Sequence, residues 1–235
     1  LKERGEALVT TGRQVERWFC LACAVVLLFL APLSCALGEE VYFIAPKLSS
    51  DADPYDPEHP EELQADQLYA KSAILIEATT GEAIFEKNAV DVMYPASNTK
   101  ILTVLLGIMM GDLNQTVYLT DADMQGIGEG DATMNLEVGE SINFKDLLYG
   151  TFIRSANEGA NLIAETCAGN ISAFVDMMNQ AAAMYGCTST NFVNPNGLHD
   201  DNHYTTARDM AKIAQAAMQN DTFRDIAKSY TYSLP

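Results

Sequence analysis

The sequence predicts a mixed α/β domain in which an antiparallel hairpin comes first and a series of helices follows. Residues 72–89 contain two apolar runs on either side of a turn at Gly81, which indicates a β-hairpin. Several later segments space their apolar residues at the helical period. An apolar content of 48% over 235 residues is enough to build a sizeable core. The chain is therefore expected to fold, and is not of the disordered class.

The helix predicted to lie at the centre of the domain runs from Ser97 to about Met110. The segment has no charged residue between Lys100 and Asp112, and its apolar residues occupy every face of a helix. We therefore expect other elements to enclose this helix on all sides.

The other helical patterns lie in the second half of the chain. They cover residues 143–154, 157–169, 171–186 and 207–220, with Thr205 or Thr206 as the N-cap of the last. Residues 188–204 have the Asn, Pro and Gly content of an ordered loop. Residues 229–234 alternate as a strand does.

Residues 116–140 combine short strand-like pieces with glycine-rich turns. Asp121, Asp123 and Asp131 suggest a calcium loop, but the position of the bidentate glutamate, counted from Asp121, holds Ala132. A solvated loop is the better interpretation.

Two histidines, His199 and His203, have the i, i+4 spacing of some metal pairs. They lie in a loop, where no regular helix aligns them, so a structural or surface role is favoured. We predict no metal site.

The front of the chain differs from the rest. Four basic residues precede an apolar stretch at residues 18–33 that is short for a membrane span, and small residues follow. Residues 1–38 are therefore predicted to be a signal peptide, cleaved after Ala36 or Gly38, or else an uncut anchor. Residues 39–66 are acidic and proline-rich, as in a linker, and residues 67–235 form the domain. Both interpretations place the domain outside the cytoplasm.

The net charge limits the kinds of partner the protein can bind. A formal net charge of −18 argues against a nucleic-acid partner, because phosphate binding needs a basic surface.

The cysteine content limits the redox chemistry. After the signal segment only Cys167 and Cys187 remain. Export permits a disulfide between them, and their apolar surroundings fit two buried thiols equally well.

Ser97 and Lys100 form a Ser-x-x-Lys pattern at the first turn of the central helix. Residues at i and i+3 share a face, so the serine Oγ and the lysine Nζ can meet. The free N–H groups of the first turn and the apolar segment behind it both disfavour an ammonium ion. A neutral Lys100 would take the proton of Ser97 and make it a nucleophile. The pattern alone also fits an N-capping Ser97 beside a solvated Lys100.

Three segments carry a resemblance to a known family, namely residues 95–100 (PASNTK), 136–165 (LEVGESINFKDLLYGTFIRSANEGANLIAE) and 192–214 (FVNPNGLHDDNHYTTARDMAKIA). From about Gln67 to its end the chain resembles the D-alanyl-D-alanine carboxypeptidases, the low-molecular-mass penicillin-binding proteins of serine peptidase family S11. Ser-x-x-Lys, a Ser-x-Asn-type motif and a Lys-Thr-Gly strand are characteristic of penicillin-binding proteins. The resemblance implies a β-lactamase/transpeptidase-like fold, with an antiparallel sheet flanked by helices and a helical subdomain.

The resemblance also implies the site residues. The first motif corresponds to Ser97 and Lys100, and the second to residues 155–157. Ser97 would attack the penultimate carbonyl of a peptide ending in D-Ala-D-Ala, with Lys100 as base. Ser155 would pass the proton to the departing D-alanine, and Asn157 would hold the substrate amide and Lys100. Ser97, Ser155 and Asn157 would thus also bind substrate.

The implied partners follow from this chemistry. They are peptidoglycan stem peptides as substrate and β-lactams as covalent inhibitors, with no cofactor and no metal. The expected location is the cell wall or the outer face of the cytoplasmic membrane, and peripheral membrane association is compatible with it.

The third family motif is absent from the sequence. Its Thr-Gly pairs, at residues 11–12 and 80–81, are not preceded by lysine. We therefore expect an active enzyme whose C-terminal strands are missing from this sequence, and we expect such a fragment to aggregate through its open sheet edge. Two alternatives remain: a non-catalytic cell-wall-binding protein of the same fold, and a serine β-lactamase.

Overall fold

A computed structural model describes residues 64–233. The predicted signal segment, residues 1–38, and all but the last three residues of the predicted linker lie outside this range. A short 3₁₀ helix, Ala65–Gln67, opens the described part of the chain. Within residues 64–233, no helix combines the length and apolar character needed to cross a membrane.

The predicted hairpin is confirmed. Strand β1 (Ala73–Ile76) pairs antiparallel with strand β2 (Ala83–Lys87), so that Ala73 lies opposite Lys87. Gly81 has a φ of +75°, a conformation that glycine adopts without the steric cost of a Cβ, and its N–H donates to the Glu77 carbonyl at 2.8 Å. The buried side chains of β1 face the helices.

The central helix begins later than the sequence predicts. Residues Ala96–Thr99 form a 3₁₀ turn, and the α-helix itself, α1, spans Lys100–Met110. The Thr99 hydroxyl donates to the Ala96 carbonyl at 2.8 Å, and Lys100 N–H turns to the Ser97 carbonyl. In a regular α-helix Lys100 N–H would bond Ala96 instead, so this side-chain bond accounts for the tighter first turn.

Enclosure of α1 is confirmed only for its first two turns. Leu102, Val104 and Leu105 are buried against the neighbouring helices. Met109 and Met110, in the last turn, are exposed. The apolar pattern could not show this, because methionine is usually buried and an exposed methionine has no signature in the sequence.

The remaining elements follow the predicted order. They are β3 (Thr116–Tyr118), β4 (Ser141–Asn143), α2 (Phe144–Arg154), α3 (Asn157–Ala168), α4 (Ile171–Met184), α5 (Ala207–Ala217) and α6 (Asp221–Ala227). Strands β3 and β4 pair antiparallel as a second small sheet. Helix α1 packs against α2, α3 and α5, so the core surrounds it.

The loop between α4 and α5 is ordered, as predicted. Isolated bridges join Asn191 to Tyr204 and Met93 to Thr205. The Asp209 carboxylate accepts from Ser189 N–H at 2.8 Å, which fastens the start of the loop to α5. The N-cap of α5, left open by the sequence, is Thr206, whose hydroxyl accepts from Asp209 N–H at 3.1 Å.

The predicted strand at residues 229–234 is wrong for its described part, residues 229–233, which forms no strand. A strand needs a partner for its backbone groups, and in residues 64–233 both sheets have only two strands. Tyr232 instead stacks on Tyr149 of α2 with ring centroids 4.1 Å apart, and its hydroxyl bonds Asp146 at 2.5 Å.

Cys167 and Cys187 are free thiols, which decides between the two alternatives for the cysteines. Burial raises the pKa of Cys167 to about 11 and, together with the nearby Asp209 carboxylate, the pKa of Cys187 to about 12. Neither thiol is therefore a reactive thiolate at neutral pH.

Candidate active site

The candidate nucleophile lies where the 3₁₀ turn meets α1. Ser97 is exposed, whereas Lys100 is buried with 2% of its surface accessible. Side chains three residues apart eclipse one another in a 3₁₀ turn. The Lys100 Nζ accordingly lies 3.3 Å from the Ser97 Oγ. The structure thus brings the two residues of the first motif together and excludes a solvated Lys100.

Two short hydrogen bonds orient the Lys100 amine. Its Nζ donates to Asn157 Oδ1 at 2.7 Å and to the backbone carbonyl of Asn196 at 2.6 Å. A neutral amine has two N–H groups and one lone pair. If both N–H groups serve these acceptors, the lone pair is left for the longer contact with the Ser97 hydroxyl. This is the arrangement that a general base requires.

The charge state of Lys100 agrees with this geometry. Burial lowers the pKa of Lys100 from 10.5 to about 7, while the carboxylates of Glu158 and Asp131 act in the opposite direction. Near neutral pH, about half of the molecules therefore carry an uncharged amine.

The second motif lies at the junction between α2 and α3. Ser155 ends α2 in the left-handed region, with a φ of +56°, and Asn157 begins α3. This sharp reversal points Asn157 at Lys100. Ser155 is half-buried, and its hydroxyl has no hydrogen-bond partner within residues 64–233. The structure therefore joins Asn157 to Lys100 but does not join Ser155 to either residue of the first motif.

The Asn196 carbonyl reaches Lys100 because the chain around it approaches the 3₁₀ turn closely. Gly197 has a φ of +88°, and a Cβ there would lie 1.9 Å from the Ala96 carbonyl oxygen. Ala96 itself has a φ of +49°, which is strained for a residue with a side chain. Only glycine fits at position 197, and this close packing sets the position of the neighbouring carbonyl.

Glu158 is a site residue that sequence reasoning missed. Its side chain is fully buried, and its Oε1 accepts from Met134 N–H at 2.6 Å. Its Oε2 is buried with no partner among the described residues. Asn157 N–H donates to the Ala132 carbonyl at 2.8 Å, so the start of α3 holds the loop at residues 131–135 through both residues. The only sequence signal was an acidic residue directly after Asn157, and the sequence does not show that it is buried.

His203 fastens the loop to the 3₁₀ turn. Val193 N–H donates to its Nδ1 at 3.1 Å, so the ring proton of neutral His203 lies on Nε2 and is donated to the Thr99 hydroxyl at 2.8 Å. Burial lowers the pKa of His203 to about 4, with smaller and opposing effects from Asp200 and His199. The predicted structural role of His203 matches this position.

Two of the three aspartates considered for calcium, Asp123 and Asp131, have protein partners. Asp123 accepts from both the backbone N–H and the hydroxyl of Thr120 at 2.7 Å, and Asp131 accepts from Gly128 N–H at 2.7 Å. In the part of the chain that the structure describes, no three His, Cys, Asp or Glu side chains come together as a metal site would require.

The model of peptidase family S11, described as D-alanyl-D-alanine carboxypeptidase, matches residues 59–234. The D-alanyl-D-alanine carboxypeptidase DacF of Bacillus subtilis is 35% identical over 164 residues, which cover 68% of this chain and 42% of that protein. DacA of Escherichia coli is 34% identical over 173 residues, covering 70% and 42%. The chain thus spans less than half the length of these relatives.

Solved structures give the same result for the fold. A D-alanyl-D-alanine carboxypeptidase from Mycobacterium tuberculosis H37Rv superposes with a TM-score of 0.63 at 30% identity, covering 68% of this chain and 60% of that one. Penicillin-binding protein 5 from Haemophilus influenzae gives 0.60 at 28% identity, covering 67% and 46%. The predicted α/β class with a β-lactamase/transpeptidase-like fold is confirmed.

Proposed function

Because this chain belongs to the D-alanyl-D-alanine carboxypeptidase family, peptidase family S11, we propose that it removes the terminal D-alanine from peptidoglycan stem peptides through an acyl-enzyme on Ser97. The observation that carries this proposal is the environment of Lys100. Its buried amine has a pKa of about 7, donates to two fixed acceptors and lies 3.3 Å from the Ser97 Oγ.

The first step forms the acyl-enzyme. The Ser97 Oγ attacks the carbonyl carbon of the penultimate D-alanine while its proton passes to Lys100 Nζ. The negative charge that develops on the carbonyl oxygen needs N–H donors, and the backbone N–H of Ser97 would be one of them. The C–N bond then breaks, and the proton leaves Lys100 for the departing amine.

Ser155 is proposed to relay that proton, because its unpartnered hydroxyl is available to donate and accept at once. Asn157 holds Lys100 through its Oδ1, and its amide N–H₂ remains available for a substrate carbonyl. A water molecule, activated by the again neutral Lys100, then hydrolyses the ester and releases the shortened peptide.

This activity places the protein outside the cytoplasm, where peptidoglycan is found. Its substrate is a stem peptide that ends in D-Ala-D-Ala, and a β-lactam would acylate the same serine. The proposal includes no nucleic-acid partner, and the net charge of −18 is consistent with this. Peripheral attachment to the outer face of the membrane is compatible with this location and this substrate.

Covalent labelling tests the proposal directly. The full-length protein is incubated with a fluorescent penicillin, denatured and separated by electrophoresis, in parallel with two variants. They are Ser97→Ala and, as a control, Ser141→Ala, since residues 141–143 (SIN) also fit the Ser-x-Asn pattern. We expect labelling of the wild type and of Ser141→Ala, and none of Ser97→Ala. Labelling that survives the loss of Ser97 would remove that residue from the role.

The same experiment separates the two alternatives. A wild-type protein that never acquires a label, despite a cooperative thermal transition, would be a non-catalytic cell-wall-binding protein. A label that is lost within seconds, together with rapid hydrolysis of a chromogenic cephalosporin, would indicate a β-lactamase. Release of D-alanine from a D-Ala-D-Ala peptide with slow loss of label is the result that the proposal requires.

A further inference from the structure

We propose that Asn161 is a positioning residue for this chemistry and that it acts on Lys100 through Asn196. The inference rests on the proposed function, since it concerns the orientation of the Lys100 lone pair towards the Ser97 hydroxyl. The hydrogen bonds of the Asn161 side chain go to Asp123, Gln125 and Asn196, and not to Ser97 or Lys100. Its effect is transmitted by the side chain and the backbone carbonyl of Asn196.

A continuous run of hydrogen bonds connects the three residues. Asn161 Nδ2 donates to the Asp123 carbonyl at 2.8 Å, which fixes the orientation of the Asn161 amide. Asn161 Oδ1 then accepts from Asn196 Nδ2 at 3.0 Å. The carbonyl of the same Asn196 accepts from Lys100 Nζ at 2.6 Å. The path leads from the β3–β4 loop through α3 to the catalytic amine.

Burial makes this path rigid. Asn161 is 1% exposed and Asn196 is 4% exposed, so water does not replace a lost partner easily. Both polar atoms of the Asn196 side chain have a partner, because its Oδ1 also accepts from Leu198 N–H at 2.9 Å. A buried amide bonded at both its nitrogen and its oxygen holds one orientation, and the attached backbone carbonyl is held with it.

Helix geometry shows why α3 suits this task. Asn157 and Asn161 are four residues apart, so they lie on one face of α3. Asn157 supplies one acceptor for Lys100 directly, and Asn161 fixes the other through Asn196. The acceptors of both N–H groups of the neutral amine are therefore positioned by the same helix, α3. A shift of either acceptor would rotate the lone pair away from the Ser97 Oγ.

Other contacts, including the close packing at Gly197, hold the backbone around Asn196, and the bond to Asn161 holds the Asn196 side chain. The Thr103 hydroxyl donates to the Pro195 carbonyl at 2.6 Å, and Gly197 N–H donates to Asn194 Oδ1 at 2.7 Å. They fix residues on either side of Asn196. Among residues 64–233, Asn161 is the one partner of the Asn196 Nδ2. The charged groups that raise the pKa of Lys100 are Glu158 and Asp131. A substitution at Asn161 removes neither of these charges.

The test measures how the rate of acylation by a fluorescent penicillin depends on pH. In the full-length protein, Asn161→Ala is expected to reduce the rate on the high-pH plateau about ten-fold, the size of coupling found for residues in one hydrogen-bond network. The midpoint of the pH profile should also move below that of the wild type. A weaker acceptor at Asn196 stabilises the ammonium form less, which lowers the pKa of Lys100.

A double-mutant cycle tests the route. In an Asn196→Ala background the Asn161→Ala change should reduce the rate by less than about two-fold, because the connecting amide is already gone. Asn179→Ala is the matched control. Asn179 holds Phe192, in the same loop, through two 2.8 Å hydrogen bonds, and within the described residues its side chain forms no hydrogen bond with Asn196. It should lower the melting temperature without moving the pH midpoint.

Three outcomes would overturn the proposal: an unchanged plateau rate and midpoint in a folded Asn161→Ala, additive effects in the cycle, or a shift of the midpoint by Asn179→Ala as well. If Asn161→Ala does not fold, Asn161→Ser, which leaves room for a water, is measured instead with the same expectations. Failure of the proposed function is distinct, because then the wild type itself shows no label at Ser97.

Discussion

Lys100 is the residue on which the proposed chemistry depends, because only its uncharged form accepts a proton. With the ordinary pKa of 10.5, roughly one lysine in 3,000 would be neutral at pH 7. Burial brings that fraction to about one half, and Glu158 and Asp131 prevent it from going further. A base whose pKa is near the working pH combines availability with proton affinity. The balance between burial and two carboxylates is therefore a functional feature of the site.

Glu158 provides a test of this balance. Glu158→Gln keeps an acceptor for Met134 N–H and removes the negative charge that raises the pKa of Lys100. The pKa of Lys100 should fall, so the rate of Ser97 acylation at pH 6 should rise a few-fold, while the plateau rate at pH 9 stays unchanged. The measurement is the pH profile of labelling by a fluorescent penicillin.

Glu165→Gln is the control for this substitution. Glu165 lies on the same helix, two turns further from Lys100, and should leave the profile in place. An unchanged midpoint in Glu158→Gln would show that this carboxylate does not act on the amine, and a midpoint shifted to higher pH would reverse the assigned sign.

At the scale of elements, the 3₁₀ turn before α1 brings the site together. The sequence predicted that Ser97 and Lys100 share a face, and the structure agrees, although the turn is tighter than the predicted α-helix. The reason for the difference is a side-chain bond from Thr99 to Ala96, which no helical periodicity reveals. Local patterns thus predicted which residues meet but not the geometry of the backbone that carries them.

Of the two acceptors of Lys100, the sequence could predict only one. Asn157 could be predicted because it belongs to a motif with a family resemblance. The Asn196 carbonyl could not, because a backbone oxygen has no signature in the sequence and lies 96 residues further along. Glu158 and Asn161 are ordinary helix residues until their burial is known. Composition and periodicity therefore do not predict contacts between segments that are far apart in the sequence.

The attachment of the loop to the 3₁₀ turn should depend on pH through His203. Its pKa is about 4 in the folded protein, below the ordinary 6.5. Between these values the unfolded chain binds a proton that the folded chain excludes, so stability falls as the pH decreases from 6.5 to 4. The loss amounts to about 3 kcal/mol at 1.36 kcal/mol per pKa unit.

Urea denaturation of the wild type and of His203→Gln at both pH values isolates this effect from the titration of carboxylates. The difference in unfolding free energy between the two proteins should change by about 3 kcal/mol from pH 6.5 to pH 4, to the disadvantage of the wild type. His199→Gln, at a side chain that is 65% exposed, should show no such change. Parallel curves for wild type and His203→Gln would contradict the proposed anchoring by a neutral ring.

At the scale of the whole molecule, the fold stabilises a helix that has a lysine buried at its start. Apolar residues of α1 pack against α2, α3 and α5, and this core offsets the cost of the buried amine. The predicted class of fold follows from such patterns of apolar residues. In residues 64–233 the short sheets β1–β2 and β3–β4 are separate, since sheet size depends on pairing between segments rather than on local alternation.

The cost of the buried amine is measurable as a pH dependence of stability. The pKa of Lys100 is about 7 when folded and 10.5 in its ordinary state, so between these values the unfolded chain holds a proton that the folded chain has released. Stability therefore increases as the pH rises through this window, and the penalty, about 4 kcal/mol at pH 7, falls by about 2 kcal/mol by pH 9. Lys100→Met has no proton to release.

The unfolding free energy of the wild type should accordingly gain about 2 kcal/mol relative to Lys100→Met between pH 7 and pH 9 in urea titrations. Lys145→Met, at an exposed position on α2, is the control and should follow the wild type, because its amine is in water in both states. Equal pH dependence of the wild type and Lys100→Met would mean that Lys100 enters the folded protein without losing its proton. The amine would then be an ammonium ion at neutral pH, with no lone pair for the Ser97 hydroxyl, and the proposed first step would have no base.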